Sequence, residues 1–208
     1  MILTKNDINE RMSYDISDHR SLHISPLLNK GQIGNDTIDI RLGTYFMIFQ
    51  QTSIDCIKLS NVERQLSHYQ NIVHIPLGEE IIIPPQTLIL GTSLEYIKLP
   101  SAVYGEVGTR SSWGRLGLVI ATAVNIHPNF RGCLTLELVN HGIIPIALSP
   151  GVEIGQLVLH QLTTEIIPSK KFYGKYLGCV MPEFTKIFEE HETINRLKKI
   201  SGKYHGQF

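Results

Sequence analysis

Short runs in which apolar and polar residues alternate, separated by turn residues, dominate the middle of the chain. In TIDIRLG (37–43), Ile38, Ile40 and Leu42 alternate with Asp39 and Arg41, and Tyr45–Phe49 continues the run. CLTLELV (133–139) and IGQLVLH (154–160) repeat the pattern. Strand side chains alternate faces with a period of two, so each run predicts a half-buried β-strand. Val73–Leu77, Glu80–Ile83 and Thr87–Thr92 read as further strands, divided by Gly78-Glu79 and Pro84-Pro85, and Tyr96–Pro100 closes the block. HPN (127–129), NHG (140–142) and SPG (149–151) supply later turns. Strands at this spacing predict a β-sandwich or barrel.

Helical spacing is confined to the two ends. Leu3–Met12 predicts a short amphipathic helix with Thr4 as N-cap and Asp7 in its first turn. Phe184–Ile200 predicts a second. Gln50–Gln70 is polar and reads as an inserted loop or helix. The character changes after Pro168, which predicts a main domain, 1–168, and a C-terminal lid or tail, 169–208, that carries a helix.

Composition narrows the function classes. The 208 residues balance 19 Lys and Arg against 19 Asp and Glu, so net charge gives no support for nucleic-acid or acidic-membrane binding. A local basic patch for a small anion remains compatible with that balance. Cys56, Cys133 and Cys179 are too few and too scattered for a disulfide framework or a four-ligand zinc site, so free thiols in a reducing cytoplasm are expected. No apolar run approaches the about 18 residues of a membrane span, which predicts a soluble cytoplasmic protein.

The candidate chemistry lies in 105–161. Arg110-Ser111-Ser112 offers a guanidinium fork and two hydroxyls, a set suited to phosphate oxygens. Glu137 shares a strand face with Cys133 and Thr135, and burial would suit it to act as a general base. Arg115 either orients Glu137 or holds a water; a buried Glu137–Arg115 ion pair is the structural alternative. Asp39 and Arg41, flanking Ile40, read as an ion pair or as a brace at a subunit interface. Lys170–Tyr176 is basic and aromatic with a Gly hinge, and GKYHGQ (202–207) echoes GKYLGC (174–179). Such a tail either folds over a phosphorylated ligand or stays mobile without a role.

RSSWGRLGL (110–118), ATA (121–123), HPNFRGCLTLEL (127–138) and IGQL (154–157) closely resemble dCTP deaminases of the trimeric dUTPase-like superfamily. MILTKNDI, TIDIRLG and GTSLEYIKLP (91–100) match in the same order, so the similarity reaches from Met1 to about Pro182. The resemblance implies a mainly β fold, a distorted barrel or jelly roll with a few short terminal helices. It also implies a cytoplasmic homotrimer with active sites between subunits, and zinc-independent hydrolysis of dCTP to dUTP and ammonia with Mg2+ on the triphosphate. The HxE and PCxxC signature of zinc deaminases is not in the sequence. By the same resemblance Glu137 is the catalytic base, and Ser111 and Arg115 hold the water and the glutamate. Arg110, Ser111, Ser112 and Gln156 contact the nucleotide phosphates. The backbone around Ala123 faces the base, Phe130 packs on the deoxyribose, and Lys175 and Tyr176 belong to the closing lid. dTTP is implied as an inhibitor.

Two departures stand out. His127 takes the place of an Asp that binds the sugar 3′-hydroxyl and, in dUTPases and bifunctional relatives, activates the water attacking the phosphates. Imidazole still hydrogen-bonds a hydroxyl but serves that attack less well, which argues against dUTPase or bifunctional activity. Gly178-Cys179 stands where the lid carries a Gln. A trimer that binds nucleotide without turnover is the non-enzymatic alternative.

Overall fold

The computed structural model describes residues 1–208 except 51–52, 54, 59–68, 122–123, 167–176, 188–189 and 205–208. Contacts divide the chain into two units, Met1–Ile48 with Ile72–Glu183, and Phe49–Asn71 with Phe184–Phe208.

The first unit is a β-domain. Its chain order is α1 (Lys5–Met12), β1 (His23–Ser25), β2 (Thr37–Phe49), β3 (Gln70–His74), β4 (Ile81–Ile83), β5 (Thr87–Lys98) and β6 (Val103–Thr109). There follow the one-turn α2 (Ser111–Gly114), β7 (Leu118–Ile120), β8 (Val124–Ile126), β9 (Arg131–Asn140), β10 (Ile146–Leu148) and β11 (Glu153–Gln161). Across the main sheet the neighbours run β7, β9, β5, β2, β11, β6, β8, with β1 added to β5 and β3 to β2. β4 and β10 pair separately. The alternating runs all become strands. The strand expected over 37–49 forms β2 with a register shift between Leu42 and Phe46, and Thr87–Thr92 joins the following segment in β5 across a second shift, between Thr92 and Tyr96.

The edge strands β7 and β8 are consecutive in the chain, with only residues 121–123 between them. Four Cα steps span at most about 14 Å, so the sheet must curl until its edges come together. The Ile120 N–H donates to Thr109 Oγ1 at 2.7 Å, tying β7 to β6 across the closing side. The mainly β, distorted-barrel fold expected from the sequence is the one observed.

Alternation decides what fills the barrel. Leu134, Leu136 and Leu138 of β9 are buried with Ile38, Ile40 and Leu42 of β2 and Leu157 and Leu159 of β11. The N-terminus is sewn to the same sheet. Leu3 donates to the Leu159 carbonyl (2.8 Å), and Gln161 donates to the Met1 carbonyl (2.8 Å). Thr4 caps α1 as expected, with its backbone N–H donating to Asp7 Oδ2 at 2.8 Å in a capping box. Buried Lys98 donates to the carbonyls of Ile16 (2.7 Å) and Asp18 (2.8 Å) and to the Ser21 hydroxyl, which pins the loop after α1.

In the second unit the Phe49 and Tyr69 rings meet at 5.1 Å, and α3 spans Glu190–Tyr204. This helix starts later than the periodicity suggests. The Thr185 hydroxyl accepts from the Ile187 N–H (3.3 Å), a local turn that competes with helix.

Glu95 is fully buried where β5 shifts register. Its carboxylate accepts from the Arg41 backbone N–H (3.0 Å) and from Gln32 Nε2 (2.7 Å). Desolvation nevertheless holds its pKa above the usual carboxylate range. The folded state therefore binds this proton more tightly than the unfolded chain. Stability should fall as pH rises from the unfolded value, about 4.3, through the raised folded value. Urea unfolding across pH should show that decline and lose part of it in Glu95→Gln. Glu95→Ala, which orphans two buried donors, should cost about 1–3 kcal/mol.

Candidate active site

The site begins at a β-bulge. In a regular strand Glu153 and Gln156, three residues apart, face opposite sides of the sheet. Here the register shifts between Glu153 and Gly155, so that Glu153 lies opposite Arg41 and Gln156 opposite Asp39. Ile154 and Gly155 are both buried, and Glu153 and Gln156 emerge on one half-buried face. Four polar side chains are thereby set together. Gln156 Nε2 donates to Asp39 Oδ1 (3.1 Å), and Arg41 Nη2 to Glu153 Oε1 (2.7 Å).

This cluster holds α2. Arg110, the N-cap residue, places Nη1 on Glu153 Oε2 and 3.5 Å from Asp39 Oδ2. Its backbone N–H donates to the Ile154 carbonyl (3.1 Å), and Trp113 Nε1 donates to the Glu153 carbonyl (2.9 Å). Ser111, Ser112 and Arg115 are left exposed on the helix. The Asp39–Arg41 pairing expected from the sequence is therefore corrected. Side chains two residues apart on one strand share a face but not a partner, and each reaches across to a neighbouring element instead.

Glu137 occupies a second locus. β7 pairs β9 from Leu118↔Asn140 to Ile120↔Leu138, and the Ala121 N–H donates to the Glu137 carbonyl at 2.7 Å. Beyond that point the chain leaves β9, and β8 pairs β6 through Gly105↔Ile126. At the start of β9 the vacated edge is taken by the later chain: Cys133 donates to the Cys179 carbonyl (2.7 Å) and Gly178 to the Arg131 carbonyl (2.6 Å). Alternate residues present N–H and C=O to the same edge. Thr135 thus aims both groups at the seam between β8 and β9, where no described residue meets them. The Glu137 side chain stands half-buried on the sheet face of Cys133 and Thr135, as expected. The apolar residues between them turn to the opposite, core face.

Arg110 and Gln156 meet at the bulge through Asp39, Ser111, Ser112 and Arg115 follow Arg110 in the turn it begins, and the Ala121 backbone adjoins Glu137. Arg115 lies beyond the Asn140 end of the β7–β9 pair, and Glu137 three residues inside it, with no ion pair between them in one chain. Phe130, half-buried against the core, and exposed His127 sit at the β8–β9 turn, where the Phe130 N–H donates to the His127 carbonyl (3.1 Å). Seven residues of extended strand, about 23 Å, separate Phe130 from Glu137. Ala123, Lys175 and Tyr176 lie outside the described residues. The stretch 167–176 is anchored on either side, by Ile166 donating to the Ser101 carbonyl (2.9 Å) and by Gly178 on Arg131. A cleft of about 410 Å3 opens there, lined by Lys98, Ser101, Asn129, Arg131 and Glu165, away from Glu137.

Glu153 escapes a reading by periodicity because regular alternation puts it on the core face. A Gly inside the strand beside a misplaced charge was the available signal of a bulge.

The fold is a mainly β, curled half-barrel. The dCTP deaminase-like family model matches residues 2–162, and the chain belongs to that family. It is 36% identical over 199 residues to the dCTP deaminase of Natronomonas pharaonis, covering 92% of this chain and 97% of the relative. It is 35% identical over 202 residues to the dUMP-forming dCTP deaminase of Methanosphaera stadtmanae, covering 93% and 98%. The crystal structure of the 2′-deoxycytidine 5′-triphosphate deaminase from Agrobacterium tumefaciens shares the fold, with a TM-score of 0.56 at 19% identity. That match covers 76% of this chain and 47% of the larger protein, so this chain spans about half its length.

Gly117 sets the turn between α2 and β7. Its φ is +92°, its carbonyl accepts from the His141 N–H (2.8 Å), and a Cβ would lie 2.7 Å from the Gly142 nitrogen. Gly117→Ala should cost about 1–3 kcal/mol in thermal unfolding and displace the Ser111–Arg115 turn, lowering turnover as well.

Proposed function

We propose that this protein hydrolyses the 4-amino group of dCTP, giving dUTP and ammonia. One observation supports the reading: the Glu137 carboxylate stands beside a barrel seam toward which β9 directs the N–H and C=O of Thr135, met by no partner among the described residues. A peptide donor and acceptor side by side complement the polar edge of a planar pyrimidine, and the backbone around Ala123 would flank it from β8. Glu137 takes a proton from water as the oxygen bonds to C4, and passes it on to the pyrimidine. The C4 hydroxyl proton then passes to the amino group, which leaves as ammonia as the C4 carbonyl forms, and the balance is dCTP plus water to dUTP plus ammonia.

Arg110, Ser111, Ser112 and Gln156 receive the triphosphate, with Lys175 and Tyr176 closing over it. From a neighbouring copy of the chain, Phe130 packs on the deoxyribose and His127 takes the sugar hydroxyl, because about 23 Å of strand separates them from Glu137 within one chain. Mg2+ carried on the phosphate oxygens belongs to this reading, with Arg110, Ser111 and Ser112 facing the same phosphates. The bound ion would supply charge neutralisation on the phosphates, and Glu137 handles the proton at C4 without zinc.

The functional unit in this reading is a homotrimer. Arg115 is exposed and pairs with no carboxylate among the described residues, which suits it to orient Glu137 or its water in a neighbouring copy. dTTP would compete for the same seam. Relatives named as dUMP-forming favour, as the second reading, continuation from dUTP to dUMP and pyrophosphate; His127 weighs against it.

Glu137→Gln should lower kcat for ammonia release from dCTP by about 10²–10⁴-fold, the usual worth of a positioned proton-transfer group. Equal rates in the variant would remove Glu137 from this role. 1,10-Phenanthroline should leave the rate unchanged, and pyrophosphate as a co-product would install the second reading. Mixing inactive Glu137→Gln with inactive Arg115→Gln should restore activity at about a quarter of the sites if these groups meet across a cyclic subunit interface. No restoration would place both in one chain.

A further inference from the structure

Glu153 is fastened from several directions. One carboxylate oxygen takes Arg41 Nη2 (2.7 Å), while Arg41 Nη1 donates to the Gly151 carbonyl (2.8 Å), so the acid is anchored at the base of its own strand. The other oxygen takes Arg110 Nη1. The Glu153 carbonyl holds the Trp113 indole, and the next carbonyl holds the Arg110 backbone. Side-chain exposures of 14% for Arg41, 28% for Glu153 and 30% for Arg110 keep these pairs only partly screened by water.

An arginine carries about 2 kcal/mol of rotamer entropy, which a ligand must otherwise freeze out on binding. Both protein contacts of the Arg110 guanidinium fall on Nη1, from Glu153 and Asp39. Nε and Nη2, the pair that can grip an anion in bidentate fashion, meet no described residue. Ser111 and Ser112 are exposed one and two residues further on.

We propose that Glu153 is a positioning residue for the triphosphate. It does not touch the substrate. It locks Arg110 by one nitrogen and leaves the other edge of the fork oriented beside the two hydroxyls. The bulge at Ile154–Gly155 makes this possible, because without it the Glu153 side chain would enter the core. This inference rests on the reading above that Arg110 receives phosphate. It assigns Glu153 to substrate affinity rather than to fold stability alone.

The test compares Glu153→Ala and the shape-conserving Glu153→Gln with the unaltered protein. The readouts are kcat and KM for dCTP, and the dissociation constant of inorganic tripolyphosphate by calorimetry. Loss of an oriented, charge-assisted hydrogen bond predicts about a tenfold rise in KM and in the tripolyphosphate constant for Glu153→Ala, with kcat within about twofold. Glu153→Gln, which keeps an oxygen acceptor for Arg110, should recover part of that loss. In an Arg110→Gln background Glu153→Ala should have no further effect on either constant. Unchanged or tighter tripolyphosphate binding in both variants would overturn the proposal, as would an equal loss with and without Arg110. Tripolyphosphate binding is read without turnover. A protein that binds it through Arg110 and Glu153 but releases no ammonia from dCTP would refute the deaminase reading and leave Glu153 in place.

Discussion

The molecule depends on a conflict over one strand edge. β9 is fully paired to β5 on one side, but its other edge must serve β7, the seam and the later chain at 178–179 in turn. Because β7 and β8 are the two edges of one curled sheet and only residues 121–123 join them, the chain cannot stay on β9 and also reach β6. The ladder therefore opens beside Glu137. An unpaired backbone edge is ordinarily a liability in a β protein. In this barrel no described residue meets the Thr135 peptide groups at that edge, and in the proposed reading the pyrimidine takes them beside Glu137.

A second irregularity supplies the charge. The bulge at Ile154–Gly155 turns Glu153 outward into line with Gln156, Asp39 and Arg41, and lends the carbonyl that fixes Arg110. Two carboxylates would by themselves repel a polyphosphate. Here each is committed to a guanidinium, so the cluster is close to neutral and its unsatisfied groups are donors. The seam and the bulge divide the work between them. In the proposed reading one offers peptide groups and a base, and the other offers guanidinium and hydroxyls.

The chain's departures from its relatives fall at the open end of this arrangement. His127 is exposed at the β8–β9 turn, and Cys179 lends its carbonyl to Cys133 through its backbone rather than its thiol. Neither change disturbs the β7–β9 pairing that holds Glu137.

The strands, the α1 cap and the face carrying Glu137 were legible in the sequence, because side-chain period and capping chemistry are local properties that a short window contains. RSS and Glu137 could be singled out for the same reason: their residue types state their chemistry. What joins them was not legible. Asp39 and Arg41 looked like partners because they share a face, whereas register gives Asp39 to Gln156 and Arg110 and gives Arg41 to Glu153. Glu153 itself was hidden by a one-residue slip that reverses inside and outside. Register, bulges and the closing of a curled sheet depend on contacts between residues far apart in the chain, with energies set by neighbours that no local window includes. The sequence by itself determined the elements and the chemistry they carry; only the tertiary structure decided which of those groups meet.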